Sequence, residues 1–184
     1  MNGELDFKKA LRERVALLNG MDAANLEGVY NNKITFTKGA KELVQTMKQN
    51  GAFCILVSGG FTFFTSRVME HCGFDVEEAN ILEIDGASSR LTGKVREPIL
   101  DSSSKLYSLN HFTQEERLGL SETLALGDGA NDLPMILESS NAGGLGIAFC
   151  AKPFVQAQAT HRINIRNLRH VLYAQGYKDS EIIS

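Results

Sequence analysis

Two short apolar runs in this chain stop abruptly at glycines, and a helical pattern follows each stop at once. AFCILV (52–57) ends at Ser58-Gly59-Gly60, and TLAL (123–126) ends at Gly127-Asp128-Gly129. A continuous apolar run of this length reads as a strand buried on both faces, the kind found in parallel sheets. LGIAFC (145–150) and RINI (162–165) read as two more strands. Helical spacing of apolar residues covers 5–19, 38–49, 103–111, 132–138 and 168–174, and the helix after Gly60 carries Phe61, Phe64, Val68 and Cys72 on one side. Thr37 is placed to cap the helix at 38–49, and Asn50-Gly51 stops it. ILEI (81–84) and LTGKV (91–95) flank DGASS (85–89) and predict a hairpin, while the tail YKDSEIIS reads as loosely held. Strands alternating with helices predict an α/β fold, a parallel sheet flanked by helices. Ligands of such sheets bind at the carboxyl ends of the strands, where both glycine turns fall.

The bulk numbers remove several function classes. The 184 residues are 43% hydrophobic and 22% charged, with a formal net charge of -3. No basic footprint for nucleic acid is present. No apolar run approaches the roughly 18 residues that span a bilayer, and MNGELDFKKALRER lacks the apolar centre of a signal peptide. Cys54, Cys72 and Cys150 are odd in number and have apolar neighbours. They read as reduced core thiols, and no pair has the CxxC spacing of a zinc site.

The glycine turns carry the candidate chemistry. In VSGGF (57–61), Ser58 offers a hydroxyl and the glycines leave backbone N–H groups unobstructed where a helix starts. That arrangement suits a phosphate, although a plain turn with a helix cap has the same sequence. In GDGANDLPM (127–135), Asn131 or Asp132 can cap the next helix, with Pro134 tolerated in its first turn. Asp128 has no such structural duty. A carboxylate leaving a sheet beside a second carboxylate suits magnesium, which takes one or two protein carboxylates and completes its shell with water and phosphate. Lys105 taken alone reads as a surface lysine. Arg14 lies on nearly the same face of its helix as Phe7, Leu11 and Leu18, which is also what a snorkelling arginine does.

The ordered set VSGGF, Lys105, GDGANDLPM and AFCAKP resembles the haloacid dehalogenase-like phosphatases, most closely the members that act on phosphoserine. MNGELDFKKALRERVALLNG is similar to their helical cap, and the hairpin ending in LTG to theirs. The resemblance runs from Met1 to about Tyr173. It implies a Rossmannoid parallel sheet with a partial helical cap at 1–36 and an α/β core at 37–184. It implies a magnesium-dependent phosphatase that hydrolyses L-phosphoserine through an aspartyl-phosphate, the last step of serine synthesis, in the cytosol. Ser58 and the Gly59 backbone would hold the phosphoryl group, Lys105 would neutralise its charge, and Asn131 would contact it or the substrate. Asp128 would ligate magnesium and Asp132 would support the metal site. Arg14 would reach the substrate carboxylate, with Phe7 and Met1 lining the pocket.

One part of the family pattern is missing. The resemblance calls for DxDxT, whose first aspartate attacks phosphorus and whose second acts as general acid and base. None of the eight aspartates stands in that motif. Asp85 in ILEIDGASS comes nearest, but Ala87 stands where the second acid belongs. The family's nucleophile strand precedes the cap, so the first core strand is expected to be missing, roughly one βα unit's worth of chain. Such a chain is expected to expose strand edges and to be nearly inactive alone. A start codon assigned too far downstream, a shortened chain and a natural remnant all remain open. The remnant would form a homo-oligomer, be completed by a strand from a partner, or bind phosphate or phospho-amino acids without turnover. A related phosphatase or phosphotransferase for another small phosphomonoester fits the same residues.

Overall fold

In a computed structural model, residues 2–183 are described, residues 2–6 by their backbone alone. In chain order the elements are α1 (Asn2–Ala16), α2 (Asn25–Lys33), α3 (Ala40–Gln49), β1 (Ile55–Phe61), α4 (Thr62–Cys72), β2 (Val76–Asn80), β3 (Leu82–Asp85), β4 (Arg90–Val95), α5 (Ser102–Glu115), β5 (Leu124–Gly127), α6 (Leu133–Asn141), β6 (Leu145–Phe149), α7 (Pro153–Gln158), β7 (His161–Ile163) and α8 (Arg169–Ala174). The architecture is α/β, with parallel strands and flanking helices, as the alternation predicts. Among the described residues no helix is long and apolar enough to cross a membrane. The chain divides into two compact units, Met1–Phe36 with Ile55–Asp101, and Thr37–Cys54 with Ser102–Ser184.

The first unit holds the parallel pair β1–β2, the antiparallel hairpin β3–β4 and helices α1, α2 and α4. Leu11 and Val15, one turn apart on α1, are buried with Leu26, Leu82, Leu91 and Ile99. The hairpin holds the segment after α1 through backbone bonds: Gly20 N–H donates to Leu91 O, and Leu91 N–H to Met21 O. Gly93 lets β4 cross the end of α1. Its φ is +74°, and a β-carbon there would come within 2.9 Å of the Asn19 side chain. Two ion pairs tie α1 to the segment before α5: Lys8 to Asp101 and Arg12 to Glu97, both at 2.7 Å.

The second unit holds the parallel sheet β5-β6-β7, with β6 central and buried through Gly146–Ala148. Ile136, Ala148 and Val155 centre one apolar cluster, and Ile147, Val171 and Leu172 another.

Several local expectations fail for identifiable reasons. β1 runs on through Ser58, Gly59 and Gly60, so these residues end the strand instead of turning it. Every residue of β1 is half-buried, against the expected burial on both faces. Among the described residues β1 has a hydrogen-bonded neighbour on one side only, β2, and β5 likewise only β6. An edge strand leaves one row of backbone groups and the flank of its side chains uncovered. β2 was not anticipated, because Glu77 and Glu78 interrupt its apolar pattern. The residue that starts α3 is Gly39 at φ +81°, not Thr37, which acts only through its carbonyl on Ala40 N–H. The tail is held, not loose: Ile182 is buried and Ile183 N–H donates to the buried Thr46 hydroxyl.

Candidate active site

In the first unit the site begins where the β1–β2 ladder breaks. Val57 pairs with Glu78 and Phe61 with Asn80, with a register shift between them. Ser58, Gly59 and Gly60 therefore leave the regular ladder just before α4. Gly60 N–H donates to Ser58 Oγ at 3.0 Å. The Gly59 carbonyl accepts from the Asn80 side chain at 3.0 Å. Phe61 gives the first turn of α4 no side-chain acceptor, and no acid stands in that turn, so its N–H groups and dipole face a site suited to an anion. The Phe7 ring lies against this stretch, 3.8 Å from where a β-carbon on Gly59 would sit. Arg14 is exposed on α1, and among the described residues its side chain has no hydrogen-bonding or ionic partner. Met1 lies outside the described residues. Asp85 is occupied in the hairpin turn. The Ser88 hydroxyl, then the Ala87 and Ser88 N–H groups, hold its carboxyl below the ordinary carboxylate value.

In the second unit Asp132 organises the turn after β5. Its Oδ2 accepts from Asp128 N–H at 2.9 Å and Gly129 N–H at 2.8 Å, and its Oδ1 pairs with Lys105 Nζ. It stands at the start of α6 without capping it by its side chain. The carboxylate instead turns back over Gly127, where a β-carbon would collide with Asp132 Cβ, so only glycine fits there. The side chains of Lys105 and Asp132 are only 13% and 4% exposed, which makes this a largely buried pair between α5 and the residue before α6. Asn131 is exposed, with its Oδ1 close against Gly129. The Asp128 carbonyl accepts from Lys152 N–H at 3.0 Å, tying the turn to the AKP segment before α7. Asp128's own carboxylate is exposed and takes no hydrogen bond among the described residues.

This donor set fits a hard cation in one way. Among the described residues no three His, Cys, Asp or Glu side chains cluster as a metal cage. Magnesium needs only one or two protein carboxylates. Asp128 is available as a ligand, while both oxygens of Asp132 are already bonded, to Lys105 and to the backbone of the Asp128–Gly129 turn.

The family model of haloacid dehalogenase-like hydrolases matches residues 1–137. The chain belongs to the haloacid dehalogenase-like hydrolases. A phosphoserine phosphatase of Lactococcus lactis is 43% identical over 172 residues, which are 94% of this chain and 76% of that protein. A probable phosphoserine phosphatase of Schizosaccharomyces pombe is 44% identical over 98% of this chain. The chain spans only 59% of the length of that protein, and 43% of a phosphoserine phosphatase of Streptomyces coelicolor. A solved phosphoserine phosphatase holding a phospho-aspartyl intermediate analogue superposes with a TM-score of 0.81 at 36% identity, covering 91% of this chain and 77% of that one.

The structure thus brings Phe7 to Gly59, and Lys105 to Asp132 and the Asp128 turn. Asn80, which grips Gly59, is not marked as a site residue by the sequence. Its only sequence signal is a polar residue just before the apolar run ILEI.

Proposed function

We propose that this hydrolase chain carries the phosphate-holding and metal-holding groups of a magnesium-dependent phosphoserine phosphatase, working in the cytosol in serine synthesis. The observation that supports it most is the Asp132 brace. A largely buried lysine–aspartate pair shapes the turn and presents Asp128 as an outward carboxylate. The relatives' names point to phosphoserine as the substrate.

In this reading Ser58 and Gly59 N–H hold phosphoryl oxygens. Lys105 neutralises developing charge, which fixed cations do best in a water-poor site. Asn131 contacts the phosphoryl group or the substrate. Phe7 lines the pocket, and Arg14 takes the substrate carboxylate, a pairing that guanidinium can make bidentate. Magnesium held by Asp128 would supply Lewis-acid neutralisation of a phosphate oxygen.

The 184 residues contain no DxDxT. In this reading no aspartate of these residues attacks phosphorus, since none stands in that motif. Binding without turnover is the second reading, and it concerns these 184 residues alone. Phosphate release from L-phosphoserine with magnesium separates the two. The 184 residues alone should release almost none. The same chain extended at its N-terminus by a strand bearing DxDxT should turn over. Rapid release by the 184 residues alone contradicts the reading that none of their aspartates attacks phosphorus, and an inert extended chain contradicts the phosphatase reading.

A further inference from the structure

Asn80 is 1% exposed and spends both ends of its amide on the backbone of two separate segments. Its Nδ2 donates to Gly59 O at 3.0 Å, and its Oδ1 accepts from Leu100 N–H at 2.8 Å. The amide orientation follows from the partners, since a carbonyl needs a donor and an N–H an acceptor. Its place in the ladder explains the need. From Val57↔Glu78 to Phe61↔Asn80, four steps along β1 match two along β2. Two extra residues are thus accommodated at Ser58–Gly60, where regular pairing is interrupted. The buried carboxamide of Asn80 supplies the donor that the ladder does not give to the Gly59 carbonyl.

The consequence reaches Ser58 through one rigid unit. A trans peptide is planar, so fixing the Gly59 carbonyl fixes the Gly60 N–H on the opposite side of the same plane. That N–H donates to Ser58 Oγ. The serine oxygen is then held as an acceptor, and its hydroxyl proton is left to point at a ligand. We propose that Asn80 is a positioning residue for phosphate binding, acting through the Gly59–Gly60 peptide on the Ser58 hydroxyl. The proposal rests on the phosphate-holding role given to Ser58 above. Aspartate would have no donor for Gly59 O, and leucine would leave two half-buried backbone groups unpaired.

The test uses the full chain, inorganic phosphate as the probe, and a double-mutant cycle of Asn80→Ala with Ser58→Ala. Asn80→Ala should keep its circular dichroism, weaken phosphate binding about tenfold, and shift the amide resonances of Ser58–Gly60 while sparing those of β5, β6 and β7. Because Asn80 acts through Ser58, adding Asn80→Ala to Ser58→Ala should cost little more. Unchanged affinity in Asn80→Ala, or strictly additive losses, overturns the proposal. Should that variant unfold, amide exchange in the unaltered chain decides. Leu100 N–H must exchange as slowly as the paired amides of β2, and fast exchange there overturns it. A chain that binds no phosphate at all defeats the functional reading. The ligand-free shifts of Ser58–Gly60 in Asn80→Ala still show whether Asn80 shapes that segment, and unmoved resonances overturn the inference independently.

Discussion

Asp128 and Asp132 stand four positions apart and are equally acidic, yet their surroundings give them opposite duties. Asp132 is buried, with its carboxylate satisfied by two backbone N–H groups and the Lys105 ammonium. Removing it strands a buried cation, and breaking such a pair costs about 3–5 kcal/mol. Asp132→Ala is therefore expected to lower the urea midpoint sharply. Asp128 is exposed, and Asp128→Ala should stay within about 0.5 kcal/mol of the parent while abolishing magnesium binding measured by calorimetry. Loss of stability in Asp128→Ala with none in Asp132→Ala would reverse the assignment. The sequence marks both residues as site candidates but cannot tell cap from brace. An aspartate before a helix has the cap pattern whichever way it turns, and the direction here depends on Lys105, distant in sequence. Asn80 shows the same limit: its partners, Gly59 and Leu100, are each about twenty residues away.

Helix α1 owes its position to apolar burial on one side and charge on another. Leu11 and Val15 are legible as its inner stripe. The charged face reads as ordinary solvated surface until Lys8 and Arg12, one turn apart, meet Asp101 and Glu97, also four apart. Arg12's hydrogen bond holds the Glu97 carboxyl below its ordinary value. A depressed carboxyl contributes above its unfolded pKa, and the contribution is lost as pH falls through the folded value. Amide protection in α1 should therefore weaken in acid below the ordinary glutamate range, and Arg12→Met should remove that Glu97-linked loss. High salt should weaken the exposed Arg12–Glu97 pair more than Lys8–Asp101, whose carboxylate is buried. An identical acid profile in Arg12→Met would contradict this account of the helix. Elsewhere, apolar runs revealed β5 and β6, whereas β2 was hidden because Glu77 receives the Thr65 and Ser66 hydroxyls instead of facing water.

At the scale of the whole molecule, the α/β class and the family were legible because strand–glycine–helix order survives without three-dimensional information. The half-buried state of β1 was not, because burial depends on neighbours beyond the strand itself. With β1 and β5 each paired on one side among the described residues, an unpaired row of backbone groups invites strand pairing between copies. Sedimentation is expected to show association that grows with concentration and recedes when Leu56 is replaced by Lys. A monomer at every concentration would contradict this. The central claim is the proposal that these residues bind phosphoserine, with Ser58 holding its phosphoryl group, whether or not they turn it over. Calorimetric titration of L-phosphoserine into the magnesium-loaded chain tests it most directly. The account predicts saturable binding that is absent for L-serine and much weaker in Ser58→Ala. A folded chain that binds phosphoserine no better than serine, or equally well without the Ser58 hydroxyl, would contradict it.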